Sequence, residues 1–214
     1  MRDLGAVIAA LFLIAVSLGG WWWQQRRGDD DWPRGGSAGR SACWTGGRGG
    51  AAECCGCCHE AAGCTLNVAV YILRKQGPMT AMKLQKLAYY AQAWSLVWDE
   101  QPLFPERIEA WANGPVIPDL YQQHRGRFEV AAEDFPAGDP SALTDAERET
   151  IDAVIGFYGP RSAHELSELT HREAPWRQTR LRAGLAPGAR GTAVISQEDL
   201  FEYYDGLTSA DTEA

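Results

Sequence analysis

The chain has 214 residues, enough for one or two domains. Residues 1–64 hold six Lys/Arg and six Asp/Glu, whereas residues 65–214 hold 14 and 22, so the whole net charge of −8 lies in the second part. Nucleic-acid affinity comes largely from Lys/Arg displacing counterions, so this balance argues against direct nucleic-acid binding and favours a basic protein partner steered by the acidic surface. All six cysteines lie between Cys43 and Cys64; the remainder needs no disulfide and suits a reducing cytosol.

Residues 1–23 form an apolar segment. Leu4 to Leu18 with the Gly-Gly-Trp-Trp-Trp that follows reaches about the 20 residues that span a bilayer, and Arg26-Arg27 lie just beyond. Read plainly, this is an inner-membrane anchor with the remainder on the cytoplasmic side. Residues 24–65 are a Gly/Arg/Cys-rich linker without hydrophobic period, unable to bury a core, and therefore expected to be disordered. Cys54, Cys55, Cys57, Cys58, His59 and Cys64 are suitable zinc ligands, but their spacing matches no paired knuckle, so no metal is assigned. A second reading treats this extension as GC-rich DNA translated upstream of a start near Leu66, which would leave a cytoplasmic protein. Both readings stay open here.

Val68 to Lys75 reads as an opening helix stopped by Gly77. Thr80 then caps a longer helix in which Leu84, Leu87, Ala91, Trp94 and Trp98 line one face. Lys83 and Lys86 fall off that stripe and are expected in solvent. Tyr89 and Tyr90 point in different directions, so at least one is expected at the surface. Pro102 and Pro105 favour extended backbone around Leu103-Phe104. Ile108 to Trp111 reads as a strand, Asn113-Gly114-Pro115 as a turn, and Val116 to His124 as a helix with Ile117, Leu120, Tyr121 and His124 on one face. Residues 125–143 are loop-like. Thr144 with Glu147 and Ser162 with Glu165 are capping boxes, and Ser196 starts a last helix carrying Leu200, Tyr203 and Tyr204. Residues 184–193 read as a flexible loop. The fold class is mainly α, a compact helical domain with a short β-hairpin-like element around 102–116.

Met82-Lys83-Leu84-Gln85-Lys86-Leu87-Ala88-Tyr89-Tyr90, Pro102-Leu103-Phe104, Glu109-Ala110-Trp111, Asn113-Gly114-Pro115-Val116 and Leu120-Tyr121 occur here in a characteristic order and spacing. Together with His171, Pro175 and Trp176 they resemble the SocA-like Panacea antitoxin domain of prokaryotic, phage-associated antitoxin-like proteins. The resemblance covers residues 66–207, leaving 208–214 as a disordered tail. It implies a domain that neutralises a cognate toxin by direct protein–protein contact. In some members it also implies an adaptor role, delivering the toxin to a protease.

The residues themselves offer little for catalysis. No GxxxxGK[ST], GxGxxG or GxSxG motif occurs in residues 65–214. His164, Glu168 and His171 share a helix face and are the one candidate metal set, a reading outweighed by a solvated face. Arg177, Arg180 and Arg182 form a small basic cluster expected in solvent, and Trp176 plugs a core gap or anchors a partner. No catalytic residue, metal or cofactor is therefore assigned. The partner-binding candidates are Tyr90, Trp111, Asn113, Pro115 and Tyr121, because aromatics beside a rigid turn make contacts at low entropic cost. A metal-dependent enzyme and a membrane-tethered interaction protein are the remaining alternatives.

Overall fold

The computed structural model describes residues 64–210. The apolar segment, the Gly/Cys-rich linker and its cysteine cluster up to residue 63, and residues 211–214 lie outside them. Within the described residues the chain is mainly helical, as the capping pattern predicts. No helix there is long and apolar enough to cross a membrane.

Helix α1 (Thr65–Gln76) ends at Gly77, whose φ of 77° is the left-handed conformation that a Cβ would penalise. Strand β1 (Met79–Thr80) leads directly into α2 (Ala81–Trp98), where Thr80 Oγ1 accepts from the Lys83 amide. Strands β2 (Ile108–Trp111) and β3 (Gly114–Val116) form an antiparallel hairpin, followed by α3 (Pro118–His124) and β4 (Glu129–Val130). Helices α4 (Asp145–Tyr158) and α5 (Ala163–Arg172) both open with the predicted capping boxes. Helix α6 (Ala174–Arg182) follows at once, because Pro175 cannot continue α5 but fits the first turn of a new helix. Strand β5 (Val194–Ile195) and α7 (Gln197–Ala210) complete the chain, with Ser196 Oγ accepting from the Asp199 amide.

Helix α2 is the axle of the domain. It packs on α1, α4, α5 and α7. Leu84, Leu87, Ala88, Tyr89, Tyr90, Ala91, Ala93 and Trp94 are all buried, so its apolar surface runs around the helix instead of along one stripe. Two expectations fail for this reason. Neither Tyr89 nor Tyr90 reaches the surface, and Lys86 is buried at 1% exposure.

A three-stranded sheet in the order β3-β2-β5 lies beside this axle, and β1 pairs separately with β4. The hairpin turn sits one residue earlier than predicted. Trp111 pairs with Gly114 and Ala110 with Pro115, so Ala112 and Asn113 make the connection and Pro115 lies in the strand. An edge strand tolerates proline because its missing N–H faces no neighbour. Two glutamines of α2, seven residues apart, act as surrogate strand partners. Gln85 Oε1 accepts from the Ile117 amide at 2.8 Å and its Nε2 donates to the Ile117 carbonyl at 3.4 Å. Gln92 makes the equivalent pair with Phe104, at 3.0 and 3.1 Å. Chain segments that lack a sheet neighbour thereby satisfy their buried backbone groups.

Candidate functional site

The hairpin is held from beneath by polar groups that the helices place there. Lys86 Nζ donates to the Pro115 carbonyl at 2.9 Å. From α5, Ser167 Oγ donates to the Asn113 carbonyl at 3.0 Å. Across the α5–α6 junction, Trp176 Nε1 donates to the Trp111 carbonyl at 2.9 Å. Arg180 is buried, against expectation, and its guanidinium donates to the carbonyls of Ala110, Ala186 and Ala189, so it welds β2 to the loop after α6. Four carbonyls of the hairpin, those of Ala110, Trp111, Asn113 and Pro115, are thus held by side chains from other elements, which pins the hairpin on both sides of its turn.

Gly114 is the tightest point. Its φ is 99°, and a Cβ there would lie 2.5 Å from Lys86 Nζ and 2.8 Å from Thr170 Oγ1. Glycine is required both by the backbone and by the close approach of the lysine.

A buried tyrosine–carboxylate cluster lies beyond Lys86. Glu173, at the α5–α6 junction, accepts from Tyr90 Oη at 3.1 Å and Tyr204 Oη at 2.9 Å. Tyr90 stacks on Tyr158 with ring centroids 3.8 Å apart, and Trp94 Nε1 donates to Tyr158 Oη. Burial pushes the Glu173 carboxyl up to about 8, opposed by the two phenol hydrogen bonds and by Lys86. Burial also pulls the Lys86 ammonium down to about 7, against the attraction of Glu173. The phenols of Tyr89, Tyr90 and Tyr204 are held well above their ordinary range by burial and by the neighbouring Glu173. Perturbed groups of this kind occur in catalytic sites and in structural ion networks alike. Two hollows of the described surface lie elsewhere, one lined by Val70, Arg74 and Phe135, the other by Pro105, Val194 and Leu200. The cluster joins α2, α4, α7 and the α5–α6 junction and acts as a pin.

The outer side of the hairpin is aromatic. Trp111 and Tyr121 are half-buried and meet edge to face at 5.0 Å, with Trp111 Nε1 donating to Glu109 Oε2 at 2.7 Å. Glu109 is also paired with Arg107. Tyr121 in turn contacts His124, whose Nε2 lies 2.9 Å from Gln85 Nε2. Since the Gln85 oxygen is occupied by Ile117, the amide donates to His124, which is therefore neutral with its proton on Nδ1. Burial lowers the His124 pKa in agreement. On the other flank His171 stacks on Trp176 at 4.3 Å; burial, then the charge of Lys86, lowers its pKa.

The five candidate contact residues separate in space. Asn113 is exposed at the hairpin tip, and Trp111 and Tyr121 are half-exposed beside it. Tyr90 and Pro115 are buried, Tyr90 in the Glu173 cluster and Pro115 in β3 with its carbonyl on Lys86. Among the described residues no group of three His, Cys, Asp or Glu side chains is placed to hold a metal ion, and His164 and Glu168 stand in solvent. Gln85, Lys86, Glu173 and Arg180 organise this region and escaped the sequence reading. For the two on α2 a signal existed: a helix apolar all round leaves no solvent side for Gln85 or Lys86, so each must find a partner.

A family model described as the antitoxin SocA-like Panacea domain matches residues 84–177. Over this stretch the chain is similar to the SocA-like Panacea family. The matched stretch runs from the axle helix through the hairpin, α3, α4 and α5 into α6, and so contains Lys86, Glu173 and the aromatic face together. No curated protein and no solved structure matches the chain.

Proposed function

We propose that this chain is the antitoxin of a toxin–antitoxin pair and that its Panacea domain neutralises a cognate protein toxin by stoichiometric contact in the cytoplasm, without catalysis. The supporting observation is the hairpin tip: Asn113, Trp111 and Tyr121 are accessible on a backbone pinned by Lys86, Ser167 and Trp176. A pre-organised aromatic surface loses little conformational entropy on binding. Pro115 serves this face from within the hairpin, through the Lys86 bond to its carbonyl, while Tyr90 belongs to the core.

Co-expression of the full chain with the small open reading frame beside its gene tests the reading. Restored growth with a co-purifying complex and an undiminished toxin level is the expected result. A fall in toxin level that depends on a protease would replace neutralisation by adaptor delivery. A toxic neighbour that is neither bound nor rescued would overturn the antitoxin reading for that pair.

A further inference from the structure

The acidic character of the chain has one local reversal. From Ala174 to Gln197 there is no Asp or Glu, while Arg177, Arg180, Arg182 and Arg190 fall in this stretch and Arg172 lies just before it. Two of these arginines are committed: Arg180 is buried among carbonyls and Arg182 pairs with Asp199. Arg172 and Arg177 are exposed and form no ion pair among the described residues, Arg177 donating instead to the Arg172 carbonyl at 3.4 Å, although Asp and Glu outnumber Lys and Arg by 28 to 20 in the whole chain. Leu181, one helical turn after Arg177, is 79% exposed. Residues four apart share a helix face, so a guanidinium and an isobutyl group stand side by side in solvent. Trp176, half-buried and adjacent in sequence to Arg177, bonds to the Trp111 carbonyl and so ties α6 to the hairpin.

We infer that the surface at the α5–α6 junction, built on Arg172 at the end of α5 and on Arg177 and Leu181 of α6, docks an acidic segment of the partner protein that carries an apolar side chain. This deepens the antitoxin reading and rests on it. The local charge selects the opposite kind of surface from the basic one that the net charge suggested. Carboxylates pair bidentately with the two guanidiniums, and an apolar side chain covers Leu181. A nucleic acid matches less well, because Leu181 gives a phosphate backbone nothing to cover it. The exposed leucine thus distinguishes an amphipathic acidic segment from a plain polyanion.

Fluorescence anisotropy with the full chain tests this. The probe is a short labelled peptide of glutamate and aspartate with a central leucine, compared with its serine-substituted twin and with oligothymidylate. The leucine peptide is expected to bind best, to weaken with added salt, and to bind about ten-fold more weakly to the Arg172→Glu/Arg177→Glu variant. Leu181→Ser is expected to erase the difference between the two peptides. All three positions are exposed, and matching circular dichroism spectra confirm that the variants fold. Equal binding by wild type and variants, no binding of the leucine peptide, or tighter binding of oligothymidylate would each overturn the inference. Growth rescue separates it from the function it rests on. A double arginine variant that rescues as well as wild type removes this face and leaves the antitoxin reading intact. A wild-type chain that does not rescue removes the antitoxin reading, while the peptide measurements still decide the chemistry of the face.

Discussion

Lys86 Nζ reaches the carbonyl of Pro115 at 2.9 Å from the middle of the axle helix, and in doing so fixes the strand that carries the exposed hairpin tip. The ammonium is buried at 1% exposure, so it stands at a cost in desolvation. That cost shows in its pKa, drawn down to about 7 from 10.5. The folded value lies below the unfolded one, so between these pH values the unfolded chain holds the extra proton and stability rises with pH. Relative to Lys86→Met, the wild-type chain should gain up to about 1.4 kcal/mol per pH unit across this window. Urea unfolding of both proteins between pH 6 and pH 10, as a difference, reads it; parallel curves would show that Lys86 does not titrate in the fold.

Glu173 has the opposite sign. Its carboxyl is raised from 4.5 to about 8 by burial, so the folded chain retains a proton that the unfolded chain has lost. The contribution is fully present below 4.5 and disappears as the pH rises through about 8. Glu173→Gln should therefore gain stability relative to wild type as pH rises through this window, while keeping an acceptor for Tyr90 or Tyr204. Chemical denaturation at several pH values checks it, and a difference independent of pH would contradict the protonated carboxyl.

Gly114→Ala should be among the most damaging small substitutions in the domain. The added Cβ meets Lys86 Nζ at 2.5 Å, and the φ of 99° is unfavourable for alanine. Strain and overpacking together should cost about 3 kcal/mol. A thermal melt within a degree or two of wild type would mean that the hairpin shifts freely, contrary to its pinning.

Trp176→Phe keeps an aromatic ring against His171 but removes the donor to the Trp111 carbonyl. Stability should fall by about 1 kcal/mol, and the hairpin amides should exchange faster. Hydrogen exchange at residues 110–114 is the direct measurement. Unchanged protection there would leave Trp176 without its role as a hairpin clamp.

Asn113 separates binding from folding. Its side chain is exposed, and the bond from Ser167 uses its backbone carbonyl. Asn113→Ala should change stability by less than about 0.5 kcal/mol while weakening toxin binding. Titration of the toxin by calorimetry compares the two. Full affinity would move the contact away from the tip.

Much of this architecture is legible locally. A threonine or serine three residues before a glutamate satisfies the first amides of a helix whatever surrounds it, so Thr144/Glu147 and Ser162/Glu165 mark α4 and α5 without reference to the rest of the chain. Gly77 and Pro175 act as punctuation for the same reason, through their own φ angles. The order and spacing of the α2 and hairpin residues also carry the family, and the matched stretch agrees.

Only the tertiary structure decided which polar groups are buried. Periodicity assigns Lys86 to the back of a helix, but α1, α4, α5 and α7 pack around α2, and that back becomes interior. It likewise turned Arg180 from a solvated charge into a clamp on three carbonyls, and divided the five candidate contacts into the accessible Asn113, Trp111 and Tyr121 and the buried Tyr90 and Pro115. Capping and backbone preference are set within a few residues. Burial is set by neighbours distant along the chain, and the sequence by itself states no distance between them.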